Sequence, residues 1–209
     1  MFPGPTIIKY CANCAQPFAQ ETLLSGNTFG AKFWTDGKRE APMLPDQHAL
    51  INCPHCQALL WIDEQQTLSE VDWGERDQFK NARAYLVPVF EDYLVALESD
   101  GLDLEKKQYL RRWAWWTGNN PRRKSVTPQP LSAPETDNLL GLAELLDESN
   151  DADRLMKAEI LRELGRFTEA RLLLNSSFNQ DYVQAIAIIR DCIDRSDPFV
   201  QEMHFESSR

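Results

Sequence analysis

Ile7-Ile8-Lys9-Tyr10-Cys11-Ala12-Asn13-Cys14 and Ala49-Leu50-Ile51-Asn52-Cys53-Pro54-His55-Cys56 are the two stretches on which the reading of this chain turns. Each is a short, β-prone run that ends in C-x2-C. A C-x2-C turn aims two thiolates at one point while its backbone N–H groups face the sulfurs. Two such turns close a tetrahedron around a soft divalent cation, and a four-thiolate set of this kind selects Zn²⁺. A third apolar run, Leu59-Leu60-Trp61-Ile62, leaves the second turn. The sequence therefore predicts strands flanking a metal centre, with Cys11, Cys14, Cys53 and Cys56 as ligands and one zinc per chain. Four protein ligands fill the coordination sphere, so the predicted role of the metal is structural.

The same cysteines admit two other uses, a thioredoxin-like redox pair or a set of disulfides. A redox motif belongs in a β-α-β setting, and neither pair opens an amphipathic helix. Disulfides suit an exported chain, whereas Met1-Phe2-Pro3-Gly4-Pro5 lacks the charged start and apolar core of an export signal. Strand, knuckle and strand is the layout of a zinc ribbon, and these residues resemble that family. The resemblance implies a small β domain over residues 1–70 that depends on its metal to fold. The chain departs from the family pattern in two places. The pairs are separated by 38 residues, 15–52, against ~15–20 in a compact ribbon. Ala15 and Gln57 stand where a glycine commonly follows the knuckle. The added length is predicted to hold a hairpin, with Lys32-Phe33-Trp34-Thr35 running into an Asp36-Gly37 turn and Pro42-Met43-Leu44-Pro45 returning extended. His55 is read as a hydrogen-bonded or solvent-facing neighbour of the metal, and Cys192 as a buried small hydrophobe.

Outward from these knuckles, composition narrows the class. Lys and Arg number 22 against 32 Asp and Glu, a formal net charge of −10. That excludes a broadly basic coat for nucleic acid or anionic membrane. With 43% hydrophobic residues the chain is globular, and no apolar run approaches the ~18 residues of a membrane span. The expectation is a soluble, cytoplasmic protein.

Beyond Glu64 the apolar period becomes helical. Phe79, Ala82, Leu86, Val89, Phe90, Tyr93, Leu94 and Leu97 predict a helix from about Glu75, broken or kinked at Pro88. A second helix is predicted from Asp103 to Thr117. Residues 118–135, with Pro121, Pro128, Pro130 and Pro134, read as a linker. Four short helical stripes follow, led by Leu139, Leu155, Phe167 and Val183, and Asp197-Pro198 is placed to open a fifth helix. The predicted class is α+β: a zinc-stapled β ribbon over 1–70, a helical segment 71–117, a Pro-rich linker 118–135, and a hairpin-like helical domain 136–209.

Within that last domain, Ala158, Gly165, Phe167 and Ala170 occupy the places of the mid-helix small residue, the turn glycine, the aromatic and the packing alanine of a tetratricopeptide hairpin. The stretch resembles about one 34-residue unit of that family. The resemblance implies helix-hairpin packing and a protein-binding surface. Jointly, the two ends resemble uncharacterised bacterial proteins that join a zinc ribbon to tetratricopeptide-like helices.

Catalytic signatures are missing. The chain has no G-x-x-x-x-G-K-[ST], no G-x-G-x-x-G, no G-x-S-x-G and no H-E-x-x-H. The expected function is that of a non-enzymatic interaction or adaptor protein with a protein partner. Phe33, Trp34, Met43 and Leu44 are its candidate contacts on the ribbon. A second candidate surface is the basic aromatic segment with Arg111, Arg112, Trp115, Arg122, Arg123 and Lys124. Its cations and aromatic faces support an alternative in which the ribbon associates with nucleic acid. Packing competes with that reading, because Trp113 and Trp116 share a helical face with Tyr109, leaving Trp115 as the tryptophan placed for exposure.

Overall fold

The sheet and helix order follows from where the apolar periods change. In this computed structural model, which describes residues 1–72 and 76–205, the strands and helices run in chain order as β1 (Phe2–Tyr10), β2 (Pro17–Ser25), β3 (Lys32–Trp34), β4 (Arg39–Glu40), β5 (Leu50–Asn52), β6 (Leu59–Trp61), β7 (Thr67–Val71), β8 (Arg83–Ala84), α1 (Phe90–Leu97), α2 (Leu104–Lys124), α3 (Ala133–Leu145), α4 (Asp151–Glu163), α5 (Phe167–Leu174), α6 (Val183–Asp194) and β9 (Glu202–Met203). The fold is α+β. Two units divide the chain: Met1–Ala31 with Glu40–Asp92, and Lys32–Arg39 with Tyr93–Arg209.

In the first unit a sheet of order β7-β1-β2-β8 is built on the antiparallel pair β1–β2, with Ile8 opposite Ala19. β7 adds antiparallel to β1, and β8 parallel to β2 through Phe18 and Ala19. Alternation puts Ile8, Ala19 and Val71 into one apolar cluster with Ala82. The short hairpin β5–β6 pairs Leu50 with Trp61. It delivers Ile51, Leu60 and Ile62 to a second cluster, packed with Phe18, Cys11 and Cys53.

The helix expected from Glu75 to Leu97 is helical in the α sense only from Phe90; Glu75 itself lies outside the described residues. Arg83–Ala84 is drawn into the sheet, and Leu86 bridges to Asn52. Pro88 biases Val87 toward extended backbone and away from the helix. Asp92 then fixes the start of α1 by accepting from the Val89 N–H at 2.9 Å and the Asn52 side chain at 3.1 Å.

In the second unit the helices pack as neighbours in sequence, α2 on α3, α3 on α4, α4 on α5 and α5 on α6. Ala158 and Ala170 are both fully buried in the α4–α5–α6 core, with Leu161, Leu174, Ile186, Ile189 and Ile193. Gly165, at φ +74°, ends α4, and the Arg166 N–H reaches back to the Leu161 carbonyl at 2.8 Å. A second cluster, Trp115, Leu139, Leu142, Ala143, Leu146 and Ile160, joins α2, α3 and α4.

Three expectations differ here. α2 does not stop at Thr117 but runs through Gly118 and Pro121 to Lys124, and α3 starts at Ala133. The expected linker 118–135 is therefore reduced to the short connection between them. Tertiary partners outweigh propensity in this last stretch: Asn119 donates to Asp36 at 3.0 Å and Arg123 forms an ion pair with the same carboxylate. Asp197-Pro198 opens no helix. Asp197 instead accepts from the Phe199 N–H at 2.9 Å and the Gln201 amide at 3.0 Å, and the tail continues into β9, which pairs with β3 through Phe33–Met203 and Trp34–Glu202. Finally, the predicted Asp36-Gly37 hairpin forms, with Gly37 at φ +78°, but residues 32–39 belong to the helical unit, not to the unit that carries the cysteine pairs.

Candidate metal centre

The two C-x2-C turns adopt the same local geometry. In the first, the Cys11 N–H donates to the Gln16 carbonyl at 3.0 Å and the Ala15 N–H to the Cys11 carbonyl at 2.8 Å. In the second, the Cys53 N–H donates to Ala58 and the Gln57 N–H to Cys53, both at 2.9 Å. Each knuckle closes on a left-handed residue, Ala15 at φ 57° and Gln57 at φ 60°. Glycine is the residue that adopts this conformation at least cost, so both knuckles keep it with a side chain in place.

The four sulfurs of Cys11, Cys14, Cys53 and Cys56 all lie within 4.8 Å of one another. Cys11–Cys56 and Cys14–Cys53 are each 3.8 Å apart. A tetrahedron with metal–sulfur distances of ~2.3 Å has edges of ~3.8 Å, so the donor set fits a bound zinc in number, chemistry and spacing. Supporting hydrogen bonds face the thiolates. The His55 N–H lies 3.5 Å from Cys53 Sγ, and Asn13 Nδ2 donates to Cys56 Sγ at 3.4 Å. Gln65 holds the first knuckle by accepting from the Ala12 N–H at 2.9 Å. Asn13 and the Ala58 N–H bring the exposed Cys56 thiol down to about 6, while burial pushes those of Cys11 and Cys53 up. His55 is not a ligand: its Nε2 donates to the Pro17 carbonyl at 3.0 Å. Cys192 is buried in the α4–α6 region, as read from its helical position.

The other candidate residues divide by unit. Met43 is exposed and Leu44 half-buried in the first. In the second, Phe33 lies edge-on to Phe205 with centroids 5.7 Å apart, and Trp34 is buried. Trp115, expected to be the exposed tryptophan, is 3% exposed, with Nε1 donating to Glu163 at 3.0 Å. Arg122 is held by Glu135 through two contacts of 2.6 and 2.9 Å. Arg123 forms a fully buried ion pair with Asp36. Arg111 and Arg112 are half-buried, and Arg111 donates to the Asn138 carbonyl at 3.4 Å. Lys124 alone of the basic set is exposed. The segment's cations are thus spent mostly on internal partners.

Sequence reasoning missed what those cations serve, a buried polar network in the second unit. Asn119 Nδ2 donates to Asp36 at 3.0 Å and to both oxygens of Glu163 at 3.1 Å. Arg162, with no exposed surface, is paired to Glu159 through contacts of 2.8 and 2.5 Å and reaches Thr35 at 3.3 Å. Burial pushes the Asp36 carboxyl up against the opposing charge of Arg123. Burial, reinforced by Glu159 and Asp36, raises Glu163 to about 8. Charged residues on a helix ordinarily read as a solvated face, so periodicity carries no trace of this network.

Comparison of the chain with protein-family models, with curated proteins and with solved structures returned no match. Among the described residues no helix is long and apolar enough to cross a membrane.

Proposed function

We propose that the chain is a zinc-binding adaptor in which the metal holds the ribbon-like unit folded and the helical hairpins receive a protein partner. The observation that carries the reading is the tetrathiolate itself, with four sulfurs mutually within 4.8 Å on two matching knuckles. Such a site has no open position for substrate, which favours a structural over a catalytic metal. For the partner, the support is a groove of about 440 Å³ across α3, α4 and α5, where Leu140 and Leu172 are 39% and 64% exposed. Exposed leucines beside a concavity are the usual anchors of a protein contact. The flanking ions are mostly paired with each other, Lys157 with Glu148 and Arg166 with Glu169, so the groove offers apolar contact with a polar rim.

The test compares the zinc-loaded chain with Leu140→Glu and Leu172→Glu variants, purified by the same tag at moderate salt. Under this reading a stoichiometric protein accompanies the native chain and is lost from both variants, whose zinc content is unchanged. Retention of the same companion by both variants contradicts the groove assignment. Recovery of nucleic acid that dissociates steeply with salt contradicts the adaptor reading.

A further inference from the structure

In the helical unit each buried guanidinium has its own carboxylate. Arg123 is paired with Asp36, Arg162 with Glu159 and Arg122 with Glu135. Glu163, 4% exposed, is the carboxylate left over. Its oxygens accept only from neutral donors, Trp115 Nε1 at 3.0 Å and Asn119 Nδ2 at 3.1 Å. Among the described residues no cation stands within ion-pairing distance of it. An ionised carboxylate so enclosed needs a countercharge, either a proton or a cation from outside.

Glu163 also lines a cavity of about 200 Å³, with Leu131, Leu164 and Phe199 among its apolar walls and Thr136 and Arg122 as the other polar residues. Arg122 presents no free charge there. Besides Glu135, its guanidinium donates to the carbonyls of Gly118, Gln129 and Pro130. The cavity is smaller than the ~300 Å³ at which drug-sized pockets begin, and so suits a fragment. A multidentate metal does not fit. Among the described residues the cysteine cluster is the only group of three or more ligating side chains close enough to hold an ion.

We propose that this cavity binds a small organic monocation, a primary ammonium with a short apolar tail, with Glu163 as its counter-ion. The carboxylate supplies the charge, the Thr136 hydroxyl is an additional acceptor, and the Phe199 ring and the leucines cover the tail. The groups that face Glu163 set its proton affinity. Glu159 and Arg162 lie on its own helix, Asp36 on the 32–39 hairpin, and Asn119, Trp115 and the neutralised Arg122 on α2. Burial and the like charges of Glu159 and Asp36 keep Glu163 protonated near neutral pH. Binding of the cation therefore releases that proton, and affinity rises with pH up to the point where Glu163 ionises unaided.

The experiment is calorimetric titration of the full, zinc-loaded chain with n-propylammonium. It is run in buffers of different ionisation heat, with n-propanol and propionate as controls. The expected result is one saturable site for n-propylammonium and close to one proton released per ligand at neutral pH. Neither control binds. Glu163→Gln keeps an acceptor for Trp115 and Asn119, and is expected to weaken binding by at least about tenfold. Leu164→Phe, which fills the cavity and leaves the carboxylate in place, abolishes binding too and stands in if Glu163→Gln does not fold. The absence of a saturable site, equal binding of n-propanol, preference for propionate, or unchanged affinity in a folded variant would each overturn the proposal.

Discussion

Ala15 and Gln57 occupy the same place in the two knuckles, one residue past the second cysteine, and both are left-handed. An L-residue with a Cβ is strained there by roughly 1–2 kcal/mol relative to glycine, part of which is offset by glycine's larger unfolded-state entropy. Ala15→Gly and Gln57→Gly are accordingly expected to stabilise the zinc-loaded first unit by about 0.5–1 kcal/mol each, read as a rise in its unfolding midpoint. At the same scale, Glu163 fixes a pH dependence. Its folded value of about 8 lies above that of a free carboxyl, so between the two the folded state binds the proton and the unfolded state does not. Stability of the helical unit therefore falls as pH rises through this window. Glu163→Gln is expected to flatten that slope, and chemical denaturation at pH 6 and pH 9 compares the two chains directly.

At the scale of the element, the C-terminal helices were legible and the middle of the chain was not. Apolar spacing of three and four placed α3 to α6 because each helix buries an apolar stripe, although α4 buries Arg154, Glu159, Arg162 and Glu163 beside its own, and Ala158, Gly165, Phe167 and Ala170 announced the α4–α5 hairpin. The two alanines sit fully buried in that core, where close packing leaves no room for added methylenes. Ala158→Leu should cost about 1–3 kcal/mol of helical-unit stability while leaving zinc content untouched, measured by denaturation alongside metal analysis. The stripe through Phe79, Ala82, Leu86 and Val89 was misleading, since these residues are apolar for a different reason. Ala82 packs against the sheet, and Leu86 bridges to Asn52. Pro121 and Asp197-Pro198 misled in the opposite direction. Their local signals were overridden by contacts from far along the chain, the Arg123–Asp36 ion pair and the backbone pairing of Gln201 with Thr35. The cysteine cluster was legible because its four members are one residue type at fixed spacing. The Asp36–Asn119–Glu163 network was not, because its members are ordinary polar residues that only the fold brings together.

For the molecule as a whole, the two units rest on different physics. The helical unit has two apolar clusters among the described residues, whereas a cluster of the first unit includes Cys11 and Cys53 of the cysteine group among its buried residues. Removing the metal leaves thiolates that repel one another or take up protons, two of them, Cys11 and Cys53, inside that cluster, so chelation should unfold the first unit and spare most of the helical circular dichroism. Cys11→Ser and Cys53→Ser should do the same, each taking a ligand from a different knuckle. The most direct test of the account is the mass of the natively folded chain measured without denaturation, beside the same measurement on these two variants. The account predicts one zinc per native chain, none in either variant, and helical signal retained in all three. A folded native chain that carries no zinc, with its cysteines joined in disulfides, would contradict it.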